Sequence, residues 1–105
     1  MHLSVIVPAY NEEKSLAHNI KKFSKYLSCQ PYNYEIIIVN DGSTDKTAAI
    51  MQELALSIKN LHLINNQINR GKGFSVRQGL LNGKGEYRLF LDADGATSIE
   101  HIDKI

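Results

Sequence analysis

The chain has 105 residues, 43% apolar and 22% charged, with 12 Lys+Arg against 11 Asp+Glu, the profile of one ordinary soluble domain with a single core. A net charge of +1, with basic residues scattered along the chain, points to neither nucleic acid nor a membrane surface, and no nucleic-acid partner is expected. Cys29 is the only cysteine, no basic-then-apolar leader precedes the first apolar run, and the longest uncharged run falls short of the roughly 18 to 20 apolar residues of a membrane span, so a cytoplasmic location is expected.

The first run rich in β-branched and aliphatic residues is Leu3 to Val7, bounded by Pro8. Leu16, Ile20, Phe23 and Leu27 then recur at helical spacing, and Pro31 marks the boundary before a second run, Glu35 to Val39. Thr47, Met51, Leu54 and Ile58 predict a second helix, Leu61 to Ile64 a third strand, Val76 and Leu80 a third helix, and Tyr87 to Leu91 a fourth strand. The strand starts lie 32, 26 and 26 residues apart, which reads as βαβαβαβ. Ile36, Ile37, Ile38 and Val39 in succession make the second strand apolar on both faces, as a parallel strand covered by helices on each side requires. The expected fold is therefore α/β, a Rossmann-like doubly wound parallel sheet. Right-handed crossovers and short connections limit the strand order mainly to 3-2-1-4, with the topological switch between strands 1 and 4.

In such a sheet ligands bind at the carboxyl ends of the strands, and here the residues after each strand are rich in chemistry. Pro8, Ala9, Tyr10, Asn11, Glu12 and Glu13 follow the first strand, and Asn40 to Asp45 (NDGSTD) the second. NDGSTD reads equally as a turn in which Ser43 or Thr44 caps the next helix. Asn69 to Gly73 (NRGKG) precedes the third helix, where backbone amides and the cations Arg70 and Lys72 suit a phosphate, although the same residues also suit a solvated turn. After the fourth strand, Asp92 and Asp94 stand two apart, so an extended backbone presents both carboxylates to one small volume. Their repulsion is relieved by a divalent cation, and oxygen ligands suit Mg2+ or Mn2+, whose shell substrate phosphates and water complete. His2, His18, His62 and His101 lack metal-ligand spacing, Tyr10 either stacks on a base or packs, and no GxGxxG or GxxxxGK[ST] follows the first strand.

Taken together, VIVPAYNEE, IIIVNDGSTDKT and NRGKGFSVRQGLLNGKGEYRLFLDADGAT resemble the nucleotide-sugar half of the family 2 inverting glycosyltransferases of the GT-A fold, from Leu3 to about Ile105. NRGKG, then VRQG, then DADGAT is most similar to the dolichyl-phosphate glucosyltransferase branch, with the mannosyltransferases next. The resemblance implies a UDP-sugar donor, UDP-glucose first, a Mg2+ or Mn2+ cofactor, and a polyprenyl or dolichyl phosphate acceptor. It implies that Pro8, Tyr10 and Glu12 border the uridine, that Asp41 holds the uracil edge, and that Arg70 and Lys72 lie near the nucleotide and diphosphate. Asp92 would lie by the ribose and metal, and Asp94 would ligate the metal. No catalytic residue is assigned.

Members of that family run on past the DxD motif into an acceptor-binding half, whereas only 11 residues follow Asp94 here. The expectation is that residues 1–105 form the nucleotide-sugar-binding part without the acceptor half, in a parent that is membrane-associated on the cytoplasmic face. An uncovered sheet edge and apolar helix faces would then favour self-association. Two alternatives stand beside this reading. One is a nucleotide-binding or assembly module without turnover. The other is a haloacid-dehalogenase-type phosphatase, whose DxDG motif ordinarily opens the chain, whereas 91 residues precede Asp92.

Overall fold

A computed structural model of the chain describes residues 1–95; Ala96 and Thr97 of the last motif, and His101, lie outside the described residues. Strands and helices alternate as β1 (Leu3–Ala9), α1 (Leu16–Ser28), β2 (Tyr34–Asp41), α2 (Thr47–Ser57), β3 (Leu61–Asn66), α3 (Lys72–Asn82) and β4 (Tyr87–Phe90). The sheet is parallel throughout, in the expected order β3-β2-β1-β4. The first two crossovers step outward from β1 and place α1 and α2 on one face. The third returns past β2 and β1 to reach β4, and right-handedness puts α3 on the other face.

Leu3, Val5, Val7 and Ala9 of β1 and Ile36 and Ile38 of β2 face α1 and α2, where they bury Leu16, Ile20, Phe23, Leu27, Met51 and Leu54. The alternate residues Ile6, Ile37 and Val39 face α3 and pack with Ile64 and Leu80. This second layer is thin because α3 comes very close to the sheet. A Cβ on Gly79 would sit 2.5 Å from Ile6, so only glycine fits at that crossing. The buried positions of α3 are accordingly Ser75 and Gly79, while Val76 and Leu80, which the periodicity singled out, are half-buried.

The strand ends differ from the sequence reading in ways that matter to the site. Strand β2 continues through Asn40 and Asp41, which pair with Asn65 and Asn66, so Asp41 stands on the last residue of a strand and not in the loop. Pro8 lies inside β1, opposite Val39, and not at its boundary. The ladder to β4 ends at Ile6 opposite Phe90, so Pro8 sits where β1 has a partner on one side only. Strand β4 stops at Phe90, and residues Asp92 to Gly95 form a turn closed by the Gly95 amide donating to the Asp92 carbonyl at 3.1 Å. At the opposite end of the sheet, buried Ser4 donates to buried Glu35 at 2.6 Å, and the amides of Lys84 and Gly85 donate to Glu35 and Ser4, which fixes the turn from α3 into β4.

Candidate functional site

A cavity of about 350 Å³ opens at the carboxyl edge of the sheet. Its walls come from Pro8, Ala9, Tyr10 and Glu12 after β1, Asp41 at the end of β2, Asn69, Gly71, Lys72 and Ser75 around the start of α3, and Asp92, Ala93 and Asp94 after β4. The structure thus brings Pro8, Tyr10, Glu12, Asp41, Lys72, Asp92 and Asp94 together. Arg70 is the exception: its guanidinium lies over the Phe74 ring, 5.4 Å from the centroid, and does not line the cavity. Arg70 and Phe74 are four residues apart at a helix start, a spacing at which side chains meet.

Asp41 is only 3% exposed, and both of its carboxylate oxygens are engaged. The amides of Arg70 and Gly71 donate to them at 2.8 and 2.9 Å, and the Asn69 side chain donates to the Asp41 carbonyl at 3.2 Å. Asp41 therefore holds the loop that carries the basic residues, a role that the uracil assignment did not include. Gly42 completes the seat: its φ is +73°, and a Cβ there would come within 2.4 Å of the Asn69 amide nitrogen. Two independent constraints, the left-handed backbone and the close crossing of the loop, both require glycine.

The rest of NDGSTD ties the loop after β1 to the loop after β2. The Asn11 amide donates to Ser43 Oγ at 3.0 Å and the Thr44 amide to Asn11 Oδ1 at 2.8 Å, while Asn11 itself adopts φ 52°. Ser43 and Thr44 are thus spent on Asn11 and do not cap α2. Asp45 takes that task, accepting from the Thr47 amide at 2.9 Å and the Thr47 hydroxyl at 2.5 Å, and it also accepts from the Glu13 amide at 3.2 Å. Burial pushes the Asp45 carboxyl up, but the hydrogen bonds from the Thr47 hydroxyl and from the Thr47 and Glu13 amides outweigh it and hold the carboxyl below its usual range.

At the other end of the cavity the ammonium of Lys72 meets Asp92 at 2.5 Å, with the Asp92 side chain 26% exposed. Between the two acids, Ala93 is buried and its carbonyl accepts from Asn19 of α1 at 3.0 Å. That bond clamps the turn to the helix and leaves Asp92 and Asp94 on the cavity wall. Among the described residues no group of three or more His, Cys, Asp and Glu side chains could hold a metal by itself. The donor set is two carboxylates beside an anion-binding helix start. It fits a hard divalent cation whose remaining ligands are phosphate oxygens and water, and it does not fit a closed protein cage.

Asn69, which the sequence reading held only as the first residue of NRGKG, also lines the cavity, as does Ser75, which that reading missed. Ser75 is fully buried, and its Oγ is the one buried side-chain polar atom without a hydrogen-bond partner among the described residues. It sits on the first turn of α3, where free amides and the helix dipole favour an anion. The only signal in the sequence was position: a small polar residue three places after Lys72, in a stretch read as helix.

The sequence matches glycosyl transferase family 2 over residues 4–105. It is 42% identical over 108 residues to dolichyl-phosphate beta-glucosyltransferase ALG5A of Trichomonas vaginalis, covering 98% of this chain and 33% of that protein. It is 36% identical over 110 residues to the dolichyl-phosphate beta-glucosyltransferase of Homo sapiens, with 98% and 34% covered. Among solved structures, S. aureus TarS 1-349 in complex with UDP-GlcNAc superposes with a TM-score of 0.77 at 33% identity, over 90% of this chain and 27% of that one. The mannosyltransferase PcManGT of Pyrobaculum calidifontis, in complex with GDP-Man and Mn2+, gives 0.71 at 30% identity, over 89% and 27%. The chain spans about a third of the length of the curated relatives it matches. Asp92 follows the fourth strand and not the first, contrary to the order of a haloacid-dehalogenase-type phosphatase. Motif order, sheet order and similarity agree, and this chain belongs to glycosyl transferase family 2, with the GT-A fold.

Proposed function

We propose that residues 1–105 are the donor-binding part of an inverting glycosyltransferase that takes a UDP-sugar, with glucose as the sugar, and a Mg2+ or Mn2+ ion. The acceptor is a dolichyl or polyprenyl phosphate, chosen by the part of the protein that the longer relatives have in addition. One observation carries the reading: Asp41, Lys72, Asp92 and Asp94 come from two strand ends and the start of α3 into one cavity. The names of the relatives support glucose and the lipid phosphate. The exposed thiol of Cys29 suits a reducing compartment, which supports the cytoplasmic face.

In this reading the base lies at the Asp41 end, between Pro8 and Tyr10, and Asp41 accepts from the uracil with lone pairs that the Arg70 and Gly71 amides leave over. Glu12 borders the ribose. The amides at the start of α3, the Lys72 ammonium and the Ser75 hydroxyl face the diphosphate. Asp92 and Asp94 would hold the metal, which, when bound, stabilises the charge growing on the nucleoside diphosphate. The acceptor phosphate oxygen is already anionic, so it attacks the anomeric carbon without a general base. The new carbon–oxygen bond forms as the bond to the diphosphate breaks on the opposite face, which inverts the centre and releases UDP.

The test is thermal unfolding of this chain with UDP and with GDP, each in Mn2+, in Mg2+ and in chelator. Ligand at a hundred times its Kd stabilises the folded state by about 2.7 kcal/mol, a shift of about 11–22 °C. UDP with metal is expected to give the largest shift. Equal shifts with metal and with chelator would refute the metal role, and a larger shift with GDP the uridine assignment.

A further inference from the structure

The net charge of +1 conceals a strong asymmetry. From Leu54 to Gly85, 32 residues contain no Asp or Glu, yet they carry Lys59, Arg70, Lys72, Arg77 and Lys84. This stretch forms β3, the basic loop and the whole of α3. Helix α3 is also apolar on two faces. Its inner face rests on the sheet through Gly79 and Leu80, and its outer face carries Phe74, 46% exposed, and Leu81, 72% exposed, seven residues apart on one side of the helix. Phe74, Arg77, Gln78 and Leu81 line a shallow groove of about 280 Å³, and nothing among the described residues covers it. Arg70 lies over the Phe74 ring, so the patch runs without a break into the loop that Asp41 holds beside the cavity. At the far end of the helix Arg88 donates to the Leu80 carbonyl at 2.9 Å and adds a further cation.

We infer that the outer face of α3 is a docking surface for an anionic lipid bilayer, with Phe74 and Leu81 entering the headgroup boundary and Arg70 and Arg77 meeting lipid phosphates. Charge selects this occupant. A second copy of the chain would bring another acid-free basic helix against the first, which repels, whereas an anionic membrane complements every exposed cation on the face. Apolar side chains flanked by long cationic ones suit the interface in particular, because the stems of Arg and Lys lie along acyl chains while their heads reach the phosphates. The carboxylates nearest the segment do not offset it: Glu35 is buried against Ser4, Asp41 is bonded to loop amides, and Asp92 is paired with Lys72. Glu86, at the α3–β4 turn, and Glu53, on α2 across the sheet, are the exposed acids at the two ends of the segment. The inference uses the surface alone and stands or falls independently of the nucleotide-sugar reading, although a membrane on this face would deliver a lipid phosphate to the basic rim of the cavity.

The experiment is co-sedimentation of the chain, without nucleotide, with vesicles of phosphatidylcholine alone and of phosphatidylcholine mixed with phosphatidylglycerol. Binding is expected to the mixed vesicles only and to fall as salt rises. Arg77→Glu, at an exposed position, is expected to lower partitioning by about fivefold or more, since each cation at an anionic surface contributes a factor of that size. The chain has no tryptophan, so Phe74→Trp supplies a lone reporter whose emission shifts to the blue on the mixed vesicles and stays fixed on the neutral ones. Binding of the Arg77→Glu variant equal to that of the unaltered chain, an unmoved emission maximum, or no vesicle binding would overturn the inference. So would a dimer in solution that Leu81→Ser dissociates, since the face would then belong to a second copy.

Discussion

Replacing Asp41 by Asn changes one oxygen of a buried carboxylate into an NH2 group. The Arg70 and Gly71 amides both donate to that carboxylate, at 2.8 and 2.9 Å, so the new donor must oppose one of them. One hydrogen bond to a charged acceptor is lost, an effect of about 1.5–3 kcal/mol. Arg70 is exposed and Gly71 half-buried, so water can reach the freed amide and the low end applies, about 1.5 kcal/mol. For a domain of this size that lowers Tm by about 6–12 °C. Because the displaced segment is the basic loop, affinity for UDP should fall as well, while the metal dependence carried by Asp92 and Asp94 remains. Calorimetric unfolding gives the first number, titration with UDP in Mn2+ and in chelator gives the second, and amide exchange at Arg70 and Gly71 reports the loop directly. An unchanged Tm with unchanged exchange at those two amides would show that Asp41 is not the anchor of the loop. Loss of the Mn2+ dependence with base preference intact would reverse the roles given to the two ends of the cavity.

Gly42→Ala combines a left-handed backbone with a Cβ that would lie 2.4 Å from the Asn69 nitrogen, so Tm should drop by several degrees and UDP binding should weaken with it; normal binding in a folded variant would refute the account of the loop crossing. Asp45 has a folded pKa below its unfolded one, so its contribution is present at neutral pH and is lost as pH falls from the ordinary carboxylate value through the lowered one. Unfolding temperatures measured down this acid range should therefore fall less in Asp45→Asn than in the unaltered chain, and parallel curves would count against the Thr47 and Glu13 bonds. Asp94→Ala should abolish the difference between Mn2+ and chelator in the UDP shift, and a difference that survives in a folded variant would refute its role at the metal. Ser75→Ala removes a buried hydroxyl with no partner, so stability should hold or rise while titration shows weaker UDP binding; a fall in stability with binding intact would show that the hydroxyl is spent inside the fold.

The parts of the fold that were legible are those where burial alone decides the residue type. Strands β1 and β2 are covered on both faces, so continuous aliphatic runs mark them. Helix α3 is seated by closeness as well as by bulk: a pattern of large apolar residues points to Val76 and Leu80, of which Leu80 packs on the inner layer, while the closest approach is Gly79 against Ile6. The acidic pair stood out because an extended backbone would turn two carboxylates two residues apart to one side; the backbone at Asp92 is instead a turn, both acids still line the cavity, and Asp92 is paired with Lys72. The anchoring role of Asp41 was not legible. Its partners are backbone amides some 30 positions away, and backbone amides carry no mark of their identity in a sequence. The direction of Arg70 could have been read from Phe74 four residues on, a local contact that competes with the phosphate for the guanidinium.

The two ends of the cavity differ in how their charges are satisfied, and this difference determines what can bind. At the base end the Asp41 carboxylate is already surrounded by amides, and the loops on either side of it are tied by Asn11 to Ser43 and Thr44. Nothing at that end needs a counterion, so a neutral base can enter a preformed, partly apolar slot beside Pro8 and Ala9. At the other end Asp92 and Asp94 face the start of α3 and Lys72, so acids and anion-binding groups confront each other across a space of small-molecule size. A diphosphate entering alone suits the α3 start but meets two carboxylates. A cation entering alone suits the carboxylates but meets Lys72. The two together replace the Lys72–Asp92 pair with a partner for each wall, so each should raise the affinity of the other by the same factor, a coupling of about 1–3 kcal/mol for sites that interact this directly.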